Sequence, residues 1–212
     1  MTQAQRRALE QLWPIYGLSS ADGLIDIPVV FNDTPHDVDH KNFEIILDIG
    51  FGMGDALCES MEANPLSRFI GVEVHRPGVG HLMSLAVEKS LTNLRIYRDD
   101  VTEVLAGCIP DGSLDKVQIF FPDPWPKKKH HKRRLVQKDF IKQLALKLKK
   151  GGLIHLVTDW PDYAEQMQAV IRASSDVTES DRVISRPVTK YEQRAIRLGH
   201  EIFEFICVKA CD

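Results

Sequence analysis

Hydrophobic positions recur along the chain in two alternating rhythms. Short β-branched runs are bounded by glycine, proline or acidic residues, and longer stretches carry apolar residues three and four apart. The runs at 43–49, 68–74, 94–97, 114–121 and 153–158 predict strands, and the stretches at 55–62, 77–89, 137–150 and 161–173 predict helices. Pro77 suits a first helical turn, where its missing N–H is harmless. In the helix at 137–150, Phe140, Ile141, Leu144 and Leu148 share a stripe while Lys142, Lys149 and Lys150 turn elsewhere, and Gly151 and Gly152 predict a left-handed cap. A helix and a loop are expected over residues 1–42. After residue 173 the rhythm changes: 174–181 reads as loop, 182–186 as a short strand and 201–209 as a strong final strand. Alternation of this kind predicts an α/β fold, a mostly parallel sheet covered by helices on both faces. With no internal repeat and no low-complexity linker, one domain is expected.

Composition agrees with a folded domain: 212 residues with 43% hydrophobic and 27% charged are enough for one sizeable core. A fibrous, disordered or disulfide-stapled chain is excluded. The first twenty residues contain Arg6, Arg7 and Glu10 and no apolar run, and no stretch has the length of a membrane span, so a cytoplasmic protein without membrane contact is expected. Cys58, Cys108, Cys207 and Cys211 have no zinc-ligand spacing and read as reduced thiols. His36, Asp37, Asp39 and His40 make one cluster of metal-ligating types, but in a Pro- and Asp-rich loop it reads as a solvated connector, and no metal is expected.

Charge changes the picture. The net value of −3 argues against a polyanionic partner only until its distribution is seen. The 24 residues from Lys127 to Lys150 hold 11 basic residues and one acidic residue, a local +10 against −13 for the rest of the chain. The densest part, Lys127, Lys128, Lys129, His130, His131, Lys132, Arg133 and Arg134, has six fixed positive charges. It follows directly on the stiff string Phe120, Phe121, Pro122, Asp123, Pro124, Trp125, Pro126. A charge run alone usually faces solvent, but beside a rigid loop at the end of a strand it suits the phosphates of a nucleic acid.

The candidate chemistry lies at the strand ends. Asp48, Gly50, Gly52 and Gly54 form a D-x-G-x-G-x-G turn between the first core strand and its helix, where glycine permits positive φ and close approach of a ligand. Glu73 ends the second strand, placed to accept hydrogen bonds from ribose hydroxyls, and Asp99 and Asp100 end the third, near a position for an adenine amino group. The spacing is not the G-x-G-x-x-G of a pyrophosphate-binding turn. A carboxylate at Asp48 suits a cofactor bearing ammonium or sulfonium, as S-adenosylmethionine does. Asp123, held among three prolines, falls at the same sheet edge. Asp159, after the fifth strand, and the T-x-x-E string Thr189, Lys190, Tyr191 and Glu192 are each open to two readings, a helix cap or a base-binding group.

These strings resemble the bacterial tRNA (guanine-N7-)-methyltransferases. The resemblance runs through 47–54, 71–75, 120–134, 158–160, 186–192 and 198–200, and F-P-D-P-W and P-V-T-K-Y-E are its specific parts. It implies a Rossmann-like class I methyltransferase fold with a seven-stranded sheet and an antiparallel C-terminal strand. It also implies S-adenosylmethionine as methyl donor and methylation of N7 of the variable-loop guanosine of tRNA, position 46 in tRNA numbering. The core at 43–173 would bind the cofactor, and 174–212 would hold the substrate loop and the last strands. Carried over by motif, Asp48, Glu73, Asp100 and Asp123 contact the donor, with Asp123 as the catalytic carboxylate. Lys127, Asp159 and Thr189 to Glu192 contact the substrate, and Lys129 to Arg134 touch the RNA. No obligatory protein partner is implied, and the expected state is monomer or homodimer. The sequence departs from the family in having Asp48 where Glu is commoner, and in beginning close to its first helix without a basic arm. The rival readings are methylation of an exocyclic base amine and a non-catalytic RNA-binding subunit on the same fold.

Overall fold

The computed structural model describes residues 1–33 and 43–210. The cluster His36, Asp37, Asp39 and His40 lies outside them, as does Cys211. Helix α1 (Gln3–Tyr16) starts on a reciprocal cap in which Thr2 Oγ1 accepts from Gln5 N and Gln5 Oε1 accepts from Thr2 N. It leads through β1 (Gly17–Leu18) and a 3-10 turn, Ser20–Asp22, to α2 (Ile27–Phe31). The core then alternates β2 (Ile45–Ile49), α3 (Asp55–Ala63), β3 (Arg68–Val72), α4 (Arg76–Glu88), β4 (Leu94–Tyr97), α5 (Val101–Gly107) and β5 (Leu114–Phe120). A 3-10 turn, Lys128–Arg133, precedes α6 (Lys138–Lys147), β6 (Leu148–Thr158), α7 (Pro161–Arg172), β7 (Val177–Glu179), α8 (Lys190–Arg197) and β8 (Phe203–Lys209).

The strands form one sheet in the order β1-β4-β3-β2-β5-β6-β8-β7, parallel except for β8, which runs antiparallel to both β6 and β7. Seven strands were expected, and the eighth is the two-residue β1 at one edge. Alternate side chains feed two cores. Ile45, Leu47 and Ile49 of β2 join residues of α2, α5, α6 and α7 on one face, and Ile46 joins α1, α3 and α4 on the other. Strands buried on both faces read as unbroken apolar runs, and so their positions follow from sequence. Chain order reverses between β2 and β5, which opens a crevice at the carboxyl ends of the strands.

Three expectations are corrected. Helix α6 ends at Lys147, not at 150, because its last carbonyls are taken by the β-turn before β5: Leu146 O by Gly112 N and Lys147 O by Ser113 N. The expected glycine cap lies inside β6, where Gly151 at φ +75° belongs to an irregularity that shifts the β5–β6 register between Leu114 and Lys116. Residues 182–186 form no strand. The strand is β7, where buried Val177 pairs with Lys209, while Val183 of the 182–186 segment is 98% exposed. Helix α5 was not expected, since its seven residues carry too few apolar turns to show a period.

Candidate active site

The glycine turn folds as its composition requires, with Gly50, Gly52 and Gly54 at φ +77°, +59° and +82°. Glu73 fixes it from the neighbouring strand: Oε2 accepts from Gly52 N at 2.8 Å and Oε1 from His75 N at 2.8 Å. Asp100 caps α5 through a single oxygen, Oδ1, which accepts from Thr102 N at 2.8 Å and Thr102 Oγ1 at 2.5 Å. Asp99 accepts from Ser20 N at 3.1 Å. The carboxylates expected to meet a donor thus also order the loops that carry them.

Asp48 is buried and accepts from Gln118 Nε2 at 2.5 Å. Burial raises its pKa to about 7, against the opposing pull of that hydrogen bond and of the Lys116 ammonium. Lys116 is itself pushed down by burial. Gln118 and Lys116 were not singled out from the sequence, although two polar residues inside the apolar run of β5 were the available signal.

Asp123 stands on a loop under backbone tension. Phe121 and Trp125 on either side have φ of +53° and +44°, values that non-glycine residues hold only when their surroundings impose them. Phe121 N donates to Val157 O at 2.8 Å, Arg133 lies 5.0 Å over the Trp125 ring, and His130 meets that ring edge-on at 5.9 Å. The strongest restraint is Arg134. Its side chain is buried, and it donates to Pro124 O at 2.8 Å, Gln166 Oε1 at 2.9 Å and Asp162 Oδ2 at 2.5 Å. Asp162 is held below the usual carboxylate range chiefly by that hydrogen bond. Arg134 therefore departs from its expected place among the RNA-facing cations, because its guanidinium is spent inside the fold. Lys127, Lys128, Lys129, Lys132 and Arg133 are exposed, and His131 is half-buried against Arg134 and Asp162.

Two cavities flank the turn. The larger, about 640 Å³, is lined by Gly50, Gly52, Glu73, Asp100, Asp123 and Arg133 among others. The smaller, about 280 Å³, is lined by Asp48, Gly54, Asp55, Thr189, Lys190 and Arg194 among others. Tyr191 borders both and lies nearly parallel to Phe121, ring centroids 6.5 Å apart. Lys190 pairs with Asp55 at 2.8 Å. The structure thus brings most of the sequence-derived set together and leaves three members out. Lys127 lines neither cavity. Asp159 pairs with His200 at 2.9 Å and does not cap α7, since Trp160 N donates to Thr158 Oγ1. Glu192 is buried and turned to Arg186, so Thr189–Glu192 is half a capping box, in which only Thr189 Oγ1 accepts from Glu192 N.

The lining tests which cofactor fits. Six carboxylates, Asp48, Asp55, Glu73, Asp99, Asp100 and Asp123, border the two spaces against three cations, Arg133, Lys190 and Arg194, and a Cβ at Gly50 would meet nothing within 4 Å, so backbone there stands open to a ligand. Acidic walls with an open glycine turn suit a cationic nucleoside donor and oppose a pyrophosphate. The space is of the size of ordinary ligand pockets, roughly 300 to 1,000 Å³.

Known proteins agree with this chemistry. Residues 42–205 match the family model described as "Putative methyltransferase". The tRNA (guanine-N(7)-)-methyltransferase of Pseudoalteromonas translucida is 46% identical, over 97% of this chain and 85% of the relative. That of Nitrosococcus oceani is 44% identical over 100% and 88%. Among solved structures, the 16S rRNA methyltransferase KamB superposes with a TM-score of 0.59 at 13% identity, covering 84% of this chain and 94% of that one. TrmN from Thermus thermophilus gives 0.56 at 17% identity, over 86% and 49%, and both show the fold alone. Nearly full-length identity at this level establishes that the chain belongs to the S-adenosylmethionine-dependent tRNA (guanine-N7-)-methyltransferase family.

Proposed function

We propose that the chain methylates N7 of the variable-loop guanosine of tRNA, position 46, with Asp123 as the catalytic carboxylate, acting in the cytoplasm. The observation that carries this reading is the position of Asp123: on a loop fixed by Arg134 and Phe121, at the rim of the acidic cavity, with exposed cations following it in the chain. Bound S-adenosylmethionine supplies a methyl group already activated by its sulfonium. The nucleophile, the N7 lone pair of guanine, is unprotonated at neutral pH, so the protein has no proton to remove. Its work is alignment and charge. Asp48, Glu73 and Asp100 would hold the donor. Asp123 would accept hydrogen bonds from the guanine edge and favour the positive charge that the purine gains as the methyl group is transferred. Thr189, Lys190 and Tyr191, next to the cavities, would bound the guanosine, and Lys127, Lys129, His130, His131, Lys132 and Arg133 would meet phosphates.

Because the deep groove of an RNA helix hides N7, the target base must be reached in a loop or drawn out of its tertiary contacts. Labelled methyl transfer to bulk tRNA, followed by nucleoside digestion and mapping, tests the reading, with 7-methylguanosine at position 46 as the expected product. N2-methylguanosine or N6-methyladenosine instead would overturn it. Asp123→Ala is expected to bind tRNA within about twofold of the parent and to lose methyl transfer by at least about a hundredfold, the scale of a removed charge-stabilising group.

A further inference from the structure

Arg186 has no part in the contacts proposed above, yet it is tied on every side. Its Nη1 donates to Glu192 Oε2 at 2.5 Å and its Nη2 to Glu192 Oε1 at 3.0 Å, a two-pronged grip, while Nε donates to Glu204 Oε1 at 3.2 Å. The same Glu204 oxygen meets His155 Nε2 at 2.5 Å. The guanidinium lies 5.2 Å over the Phe120 ring, and His155 meets that ring edge-on at 5.0 Å. Phe120, His155 and Glu204 stand on β5, β6 and β8, so the assembly is rooted in three adjacent strands. Glu192 stands in the first turn of α8, directly after the cavity-lining residues Thr189, Lys190 and Tyr191.

The Arg186 and Glu192 side chains are only 8% and 11% exposed. Charges so enclosed lose hydration that a surface pair keeps, so the pair persists only with good geometry and further partners, and both are present here. The remaining ties of this turn to the walls of the cavities are lighter: the exposed Lys190–Asp55 pair and the Tyr191–Phe121 stack. With both oxygens in the guanidinium fork, Glu192 faces Arg186 and lines neither cavity.

We infer that Arg186, braced by Glu204 and His155, is the positioning residue that holds residues 189–192 against the donor cavity, and that Glu192 serves this clamp instead of touching guanosine. The inference rests on the reading of the site as a donor and guanosine pocket, and it removes Glu192 from the substrate contacts that the family resemblance implied. Asp48, Thr189 and Lys190 share the smaller cavity, so a loosened loop acts first on the donor.

The test is a double-mutant cycle read by calorimetry with S-adenosylmethionine, beside steady-state kinetics and tRNA binding. Arg186→Ala and Glu192→Ala are each expected to weaken donor affinity and raise donor KM at least tenfold. The tRNA affinity should stay within twofold, since the exposed cations of 127–133 lie outside this turn, a split that general loss of structure does not produce. The double variant should be no weaker than the poorer single variant. Arg186→Lys, which keeps the charge without the fork, should fall between parent and Arg186→Ala, and it carries the test if the alanine variant does not fold. Donor affinity within twofold of the parent in Arg186→Ala or, where that variant does not fold, in Arg186→Lys overturns the inference. So does a double variant whose loss is the product of the single losses, which returns Glu192 to substrate contact. Calorimetry needs no product, so a tRNA map without 7-methylguanosine would defeat the functional reading while leaving the clamp to be judged on donor affinity.

Discussion

Asp48 shows how one side chain is tuned by its surroundings. Burial between β2 and β5 outweighs the Gln118 hydrogen bond and the Lys116 charge, so its proton leaves near pH 7 and not near 3.8. A cationic donor prefers the ionised carboxylate. Donor affinity is therefore expected to rise about tenfold between pH 6 and pH 7.5 and to level off above, as titration of a single group dictates. Calorimetry across that range checks it, and Asp48→Asn should bind weakly with the slope gone. Folding stability runs the other way: the folded-state pKa is raised, so Asp48's contribution is fully present below about 3.8 and is lost as pH rises through about 7. Features that are local were legible in the sequence: the positive φ of the three glycines, and the position of Glu73 and Asp100 at strand ends. Arg134 and Glu192 were not. Arg134 finds Asp162 and Gln166 across 28 and 32 residues, and Glu192 is claimed by an arginine that no local pattern marks as buried.

At the scale of elements, the loop 121–126 and the 3-10 turn Lys128–Arg133 act as one unit because Arg134 closes them onto α7. Removing that closure releases backbone held at positive φ on both sides of Asp123. Arg134→Ala is expected to cost about 2 kcal/mol of stability, the scale of losing the buried guanidinium's hydrogen bonds to Pro124 O and Gln166 Oε1, seen as a lowered melting midpoint. Methyl transfer should fall with it, more than tenfold at a temperature where the variant is still folded. Arg134→Lys should restore little, since one ammonium cannot reach the Pro124, Asp162 and Gln166 acceptors together. A melting midpoint unchanged in Arg134→Ala would contradict the role given to it here. The same region shows what the hydrophobic rhythm can report. The strands β2 to β5 and the second half of β6 stand where the rhythm placed them, because they are largely buried. The rhythm failed at 182–186 because a short apolar pair, Val183 and Ile184, without a partner strand describes an exposed loop equally well. It failed at α6, whose end is set by Gly112 and Ser113, more than thirty residues upstream.

For the whole molecule, the near-neutral charge is the sum of two separated regions. Acidic side chains border the cavities at the sheet's carboxyl edge, and the basic stretch begins where that edge's last loop ends. One region suits a cationic donor and the other a polyanion, so under the proposed reading each ligand would be drawn to its own surface while the total stays at −3. The separation makes salt a selective probe. Donor affinity, set at short range inside a cavity, should change little with ionic strength, whereas tRNA affinity should fall steeply, since every phosphate neutralised releases counterions. The structure also decides which residues carry that slope. Lys132 and Arg133 are exposed, while Arg134 is enclosed. Replacing Lys132 and Arg133 together by alanine should therefore flatten the plot of log affinity against log salt by about 1.5, the loss of two phosphate contacts. Arg134→Ala should leave the slope as it was while lowering stability. Equal slopes in the parent and the Lys132/Arg133 variant would mean that the basic run faces solvent and that tRNA is held elsewhere on the molecule. A slope lowered by Arg134→Ala would mean that its guanidinium leaves Asp162 when RNA arrives.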